Sequence, residues 1–203
     1  AETRSHILEL ESRVKPEDAA CMIFTSGTTS LPKGILLSHE QLINNSRAMV
    51  EAMHWGASDK MCITVPLFHC FGITAGVIAC ITGGMDMCLI PYFRTAHVWD
   101  AIEKYECTIL NGVPSMFLAL IRKPQYAQRK APKLKSGIIA GSPCTPEDFL
   151  EICRRFPHMH LQPSYGQTET SPCIAIADWD DPNEVKAVSA GHVIGHVEIR
   201  IMD

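Results

Sequence analysis

FTSGTTSLPKG, residues 24–34, follows directly on the apolar run AACMIF at 19–24, and the reading of this junction decides the fold. Thr25, Ser26, Thr28, Thr29 and Lys33 all present hydrogen-bond donors, and no side chain in the stretch is negatively charged, so its complementary guest is a polyanion. Gly27 and Gly34 let the main chain approach closely, which adds backbone N–H groups to the donor set. The stretch is not a Walker A loop, which places glycine directly before its lysine and serine or threonine directly after it; here Lys33 stands between Pro32 and Gly34. The residues therefore predict a phosphate grip of another lineage, delivered by a buried strand over 19–24 and followed by a helix.

The helix that follows is announced by Ser38 and Gln41, a capping-box pair, with Leu42, Met49, Val50 and Met53 at helical spacing until Gly56. Beyond it the chain alternates. Apolar strands are expected over 61–65, 87–90, 107–110 and 137–140, and helices over 71–81, from Thr95 (Val98, Ile102 and Tyr105 on one face), over 114–122 behind Pro114, and from Thr145–Pro146 with Phe149, Ile152, Cys153 and Phe156. Short apolar strands alternating with helices predict an α/β fold: a mostly parallel sheet covered by helices on both faces. Residues 1–18 read as an approach segment and 19–203 as a single α/β nucleotide-binding domain. In such sheets ligands bind beyond the carboxyl ends of the strands, and the loops after the 19–24, 61–65 and 137–140 strands are expected to meet at one rim.

Composition narrows the partners. With 203 residues, 46% hydrophobic and 20% charged, the chain is long enough for one sizeable core and short for two. A net charge of −4 without a Lys/Arg cluster argues against a nucleic-acid surface. The longest apolar passage, 70–81, is too short to span a membrane, and the first residues contain no apolar leader core. The nine cysteines fall singly and without a CxxC pair, so they read as reduced core residues of a cytoplasmic protein. Cys153, His158 and His160 match no established zinc spacing.

Two further stretches, PLFHCFG at 66–72 and YGQTE at 165–169, occur with FTSGTTSLPKG in the order and at separations that resemble the adenylate-forming superfamily: acyl-CoA synthetases, peptide-synthetase adenylation domains and luciferases. The resemblance spans 24–169. It implies that the segment containing Thr25, Ser26, Gly27, Thr28, Thr29 and Lys33 closes over the β- and γ-phosphates of ATP. It implies that Tyr165 stacks on adenine opposite Gly141, Ser142 and Pro143, that Gly166, Gln167 and Thr168 line the nucleotide with Thr168 at the α-phosphate, and that Glu169 holds Mg²⁺. Thr168, Glu169 and Lys33 are the catalytic candidates by the same resemblance. His69 and Phe71 in PLFHCFG, and Val113 in GVPSMF, fall where the family binds the carboxylate substrate; His69 positions it rather than acting as a base, since a carboxylic acid is already ionised at pH 7. Peptide-synthetase domains commonly carry an aspartate in the PLFHCFG-like region, and none stands between Pro66 and Ala79, which favours a fatty or other simple acid. The implied reaction is activation of that acid by ATP to an acyl adenylate, then thioester formation with coenzyme A. Relative to the family the chain is truncated at both ends, so the isolated fragment is expected to be inactive. An amino-acid or aryl-acid adenylation domain, and a non-catalytic nucleotide-binding module, stay open as alternatives; acyl length and oligomeric state are not assigned.

The family usually has glycine where this chain has Ser30, a position where a Cβ resists either a backbone conformation or a close approach, at a cost of roughly 1 kcal/mol in one loop state. Ser30→Gly is expected to shift ATP affinity or turnover of the ligase. Unchanged values of both contradict this reading of Ser30.

Overall fold

The computed structural model describes residues 2–26 and 31–202; Gly27, Thr28, Thr29 and Ser30 therefore lie outside the described residues. Helix α1 (Glu2–Glu11) leads in, with Ile7, Leu8 and Leu10 exposed. Strand β1 (Ala19–Thr25) then pairs antiparallel with β2 (Lys33–Ser38), Thr25 opposite Lys33 and Ile23 opposite Ile35. This corrects the expectation of a buried strand feeding a loop and then a helix. The run 19–24 is one arm of a two-stranded hairpin outside the main sheet, and Lys33 opens the returning arm. The physical reason is connection length. A parallel partner needs a crossover of a dozen or more residues, whereas only a short loop separates these strands. Alternation then splits the apolar run between two faces: Ile23 and Leu37 are buried with Leu42 and Cys70, while Met22, Phe24 and Leu36 are exposed.

β2 passes without a linker into α2 (His39–Ala52). Ser38 Oγ accepts the Gln41 N–H at 3.2 Å and Gln41 Oε1 accepts the Ser38 N–H at 2.9 Å, the reciprocal capping the sequence predicts. After β3 (Lys60–Ile63) the PLFHCFG stretch turns into α3 (Cys70–Gly72), which continues as a π-helix over Ile73–Ile78 and returns to α-helix as α4 (Ala79–Gly83). The remaining elements are β4 (Asp86–Leu89), α5 (Thr95–Tyr105), β5 (Ile109–Asn111), α6 (Pro114–Ile121), β6 (Ser136–Ile139), α7 (Pro146–Arg155), β7 (His160–Gly166), β8 (Cys173–Ile176), α8 (Asn183–Lys186) and β9 (His192–Val193). The last four after α7 were not anticipated from periodicity.

The main sheet has seven strands in the order β4-β3-β5-β6-β7-β8-β9. β4 through β7 in that order are parallel, and β8 and β9 return antiparallel. Successive residues of each strand face opposite sides. Cys62, Leu110, Ile139 and Leu161 pack against Trp99, Phe117, Phe149 and Ile152 of α5, α6 and α7; Met61, Ile63, Ile109 and Ile138 pack on the other side against Met49, Met53, Phe71 and Ala75. The expected face of α5 is half right, since Val98 and Ile102 are buried but Tyr105 is exposed. Among the described residues no helix is long and apolar enough to cross a membrane, and all nine cysteines carry free thiols.

Asn111, buried at the end of β5, ties the π-helix to the sheet: its Nδ2 donates to the Ala75 carbonyl of the π-helix at 2.9 Å and its Oδ1 accepts the Ile138 N–H of β6 at 2.9 Å. Asn111→Leu strips buried main-chain groups of these partners. It is expected to lower the unfolding free energy by about 2–4 kcal/mol, read as a lower urea midpoint with an unchanged slope. An unchanged midpoint contradicts the assignment.

Candidate functional site

The carboxyl ends of β6 and β7 and the start of α3 enclose a cavity of about 170 Å³, lined at its polar side by His69, Ser164, Gln167 and Thr168 and at its apolar side by Met49, Phe71, Ala75 and Ile138. Gly141 and Gly166 belong both to this cavity and to an adjoining open cleft of about 630 Å³, whose walls include Ser142, Pro143 and Tyr165. Cavity and cleft share Ala140, Gly141, Ser164 and Gly166 and so adjoin at the rim as a two-part depression. The Gly141–Ser142–Pro143 turn and Tyr165–Gly166, remote in sequence, both line the cleft.

Two glycines make that closeness possible. Gly141 has φ +85°, a conformation L side chains rarely adopt, and a Cβ there would stand 3.2 Å from Val113 Cγ1. This is where Val113 sits: behind the Gly141 turn and outside the lining of the cavity. A Cβ on Gly166 would stand 1.8 Å from the Pro172 carbonyl oxygen. Both positions keep main chain, not side chain, at the floor of the depression.

At the cavity end, His69 caps α3. Its Nδ1 accepts the Phe71 N–H at 3.1 Å, which places the ring proton on Nε2 and leaves that N–H for an outside acceptor. The Cys70 thiol, buried, donates to Thr168 Oγ1 at 3.8 Å. Burial pushes the Cys70 thiol up, and the nearby Glu169 carboxylate adds to this against the opposing pull of Thr168 and backbone N–H groups, so Cys70 is a neutral thiol rather than a nucleophile. Thr168 is 8% exposed, whereas Tyr165 is 54% exposed and Glu169 stands in solvent. A short helical turn over Thr168–Thr170 carries both Thr168 and Glu169.

The hairpin approaches from the side. β2 packs near the Thr168–Thr170 turn; Lys33 and Thr25 pair at the far, connecting end of the hairpin, and Ser26 follows them, exposed. Met49, Ala75, Ser164 and Cys173 line the cavity without having been singled out, because Met49, Ala75 and Cys173 arrive from other elements and carry no local signal. Ser164 and Cys70 adjoin the YGQTE and PLFHCFG stretches, and adjacency was their only clue. A separate depression of about 580 Å³ beside His54, Trp179 and His192 holds none of the motif residues. No group of three or more His, Cys, Asp or Glu side chains among the described residues is arranged to hold a metal ion by itself.

Residues 2–203 match the AMP-binding enzyme family, and the chain belongs to it. It is 38% identical over 198 residues to a Bacillus subtilis protein described as the putative acyl-CoA synthetase YngI, covering 96% of this chain and 36% of that protein. It is 34% identical over 209 residues to the human mitochondrial medium-chain acyl-CoA ligase ACSF2, covering 99% and 34%. The chain therefore spans about a third of the length of these relatives. Among solved structures, it superposes on o-succinylbenzoate coenzyme A synthetase (MenE) of Bacillus subtilis in complex with ATP and magnesium ion with a TM-score of 0.82, at 26% identity over 94% of this chain and 38% of that one. The N-terminal domain of FACL13 from Mycobacterium tuberculosis shares the fold with a TM-score of 0.81, over 90% of this chain and 45% of that one.

The Gly166 contact gives a direct test of how the depression is built. Gly166→Ala must push β7 away from Pro172 and is expected to destabilise the fold by about 1–3 kcal/mol, seen as a lower Tm. A Tm equal to that of the unmodified protein would show that the rim tolerates a Cβ there.

Proposed function

We propose that the depression is the nucleotide and acyl site of an ATP-dependent acid–thiol ligase, which joins a carboxylic acid to AMP and then to coenzyme A. The observation that carries this reading is that Tyr165 and Gly141–Ser142–Pro143 line one cleft, which adjoins a cavity lined by Thr168 and His69. An exposed aromatic ring in a cleft fits a flat base, and stacking of this kind contributes about 1–3 kcal/mol per base. Thr168 then stands at the α-phosphate. The exposed Glu169 carboxylate beside it suits a Mg²⁺ held partly by phosphate oxygens and water, and the ion supplies neutralisation of phosphoryl charge when bound.

His69 contributes orientation. With Nδ1 engaged by Phe71, its Nε2–H can hold a carboxylate oxygen in line for attack on the α-phosphorus. The apolar side formed by Phe71, Ala75 and Ile138 suits an aliphatic acyl group, and the name of the human relative supports a medium-chain acid. Lys33, Thr25, Ser26 and the residues 27–29 are assigned to the β- and γ-phosphates, which leave as pyrophosphate. Since the chain spans about a third of its relatives, we place the complete reaction in a polypeptide of their length, with a cytoplasmic location, no nucleic-acid partner, and the isolated chain unable to complete the reaction.

Calorimetric titration with ATP tests the nucleotide half of the reading. The expected result is binding that tightens when Mg²⁺ is added, an Mg²⁺ increment lost in Glu169→Ala, and affinity about tenfold weaker in Tyr165→Leu. A chain that binds ATP with and without Mg²⁺ equally, or not at all, contradicts the assignment.

A further inference from the structure

Asn45 of helix α2 is hydrogen-bonded to the segment that closes the turn carrying Thr168 and Glu169. Asn45, buried, donates from Nδ2 to the Thr170 carbonyl at 3.1 Å and to the Cys173 carbonyl at 2.7 Å, and its Oδ1 accepts the Cys173 N–H at 3.1 Å. One carboxamide thus satisfies three main-chain groups on either side of Ser171 and Pro172. Among ordinary side chains only an amide offers donor and acceptor in this side-by-side form.

The clamped segment is closed on itself. Gln167 N–H donates to the Pro172 carbonyl at 2.9 Å, and Thr170 Oγ1 donates to the Gln167 and Pro172 carbonyls at 2.9 Å each. Within it Ser171 is buried at φ 71°, a left-handed conformation that a non-glycine residue keeps only where its surroundings over-determine it. Fixing residues 170 and 173 to α2 therefore fixes Thr168 and Glu169 as well. The other end of α2 begins at Ser38, where the hairpin strand that carries Lys33 ends, about 10 Å along the helix axis from Asn45.

We propose that Asn45 is a positioning residue, which holds the Thr168–Glu169 turn at a set distance from the Lys33 hairpin so that both grip one magnesium nucleotide. The inference rests on the nucleotide reading given above. Asn45 itself lines neither the cavity nor the cleft, so it acts through the 170–173 segment it holds.

The test compares Asn45→Ala and Asn45→Asp with Ser46→Ala in the 203-residue chain. Asn45→Asp keeps the shape and the acceptor for Cys173 N–H but puts an oxygen where Nδ2 faced two carbonyls. Ser46 is the control: its hydroxyl, equally buried on α2, donates at 3.0 Å to the Thr74 carbonyl of the π-helix, so its loss weakens the fold without touching the turn. Both Asn45 variants are expected to bind MgATP at least tenfold more weakly, with a smaller loss for ATP in the presence of EDTA, and to show faster amide hydrogen exchange over residues 168–173. Ser46→Ala is expected to lower the Tm, yet bind MgATP within twofold of the unmodified chain. MgATP binding by Asn45→Ala as tight as that of Ser46→Ala overturns the positioning role alone. Failure of the unmodified chain to bind MgATP overturns the nucleotide reading and this inference with it.

Discussion

Parallel hydrogen bonding between β3, β5, β6 and β7 obliges all four strands to end on one rim, and the remainder of the molecule is arranged around that obligation. Helices must return the chain across both faces between strands, which is why α5, α6 and α7 cover one side while α2 and the π-helix cover the other. The depression forms where β6 and β7 lie side by side, and neighbouring atoms leave no room for an unstrained Cβ at Gly141 or Gly166.

The antiparallel return of β8 adds a second constraint. It brings Pro172 and Cys173 back against Gly166, so the Thr168–Thr170 turn is short and closed. A turn of this kind presents Thr168 to the cavity and Glu169 to solvent at neighbouring positions, an arrangement a longer loop would not hold. The hairpin β1–β2 stands apart from the main sheet and meets this turn along β2, so the candidate phosphate-handling segment is carried on an element with few anchors of its own.

Legibility of the fold in the sequence followed the strength of the local signal. The capping box of Ser38 and Gln41, the proline-led helices at Pro114 and Pro146, and the strands β3 to β6 were readable, because caps, prolines and apolar runs act over a few residues. The 19–24 run misled, since composition cannot distinguish a strand buried on both faces from a hairpin arm whose alternate residues, Met22 and Phe24, are exposed. β7 was hidden because HLQPSYG places Gln162 and Pro163 in mid-strand. For the site, the motifs marked Tyr165 and the Gly141 turn, which line the cleft, and Thr168 and His69, which line the adjoining cavity, while Val113 lies beside Gly141 and outside the cavity lining. Met49 and Cys173 were not readable at all, as their place at the cavity follows only from tertiary packing.

The central claim is that this rim activates a carboxylic acid with ATP, and ATP–pyrophosphate exchange by the ligase polypeptide that contains this chain measures that step without regard to the thiol acceptor. Screened over aliphatic, aryl and amino acids with Mg²⁺ present, the account predicts label exchange that depends on an aliphatic carboxylic acid, strongest at medium chain length. Exchange supported only by amino acids, or by no acid at all, would contradict it.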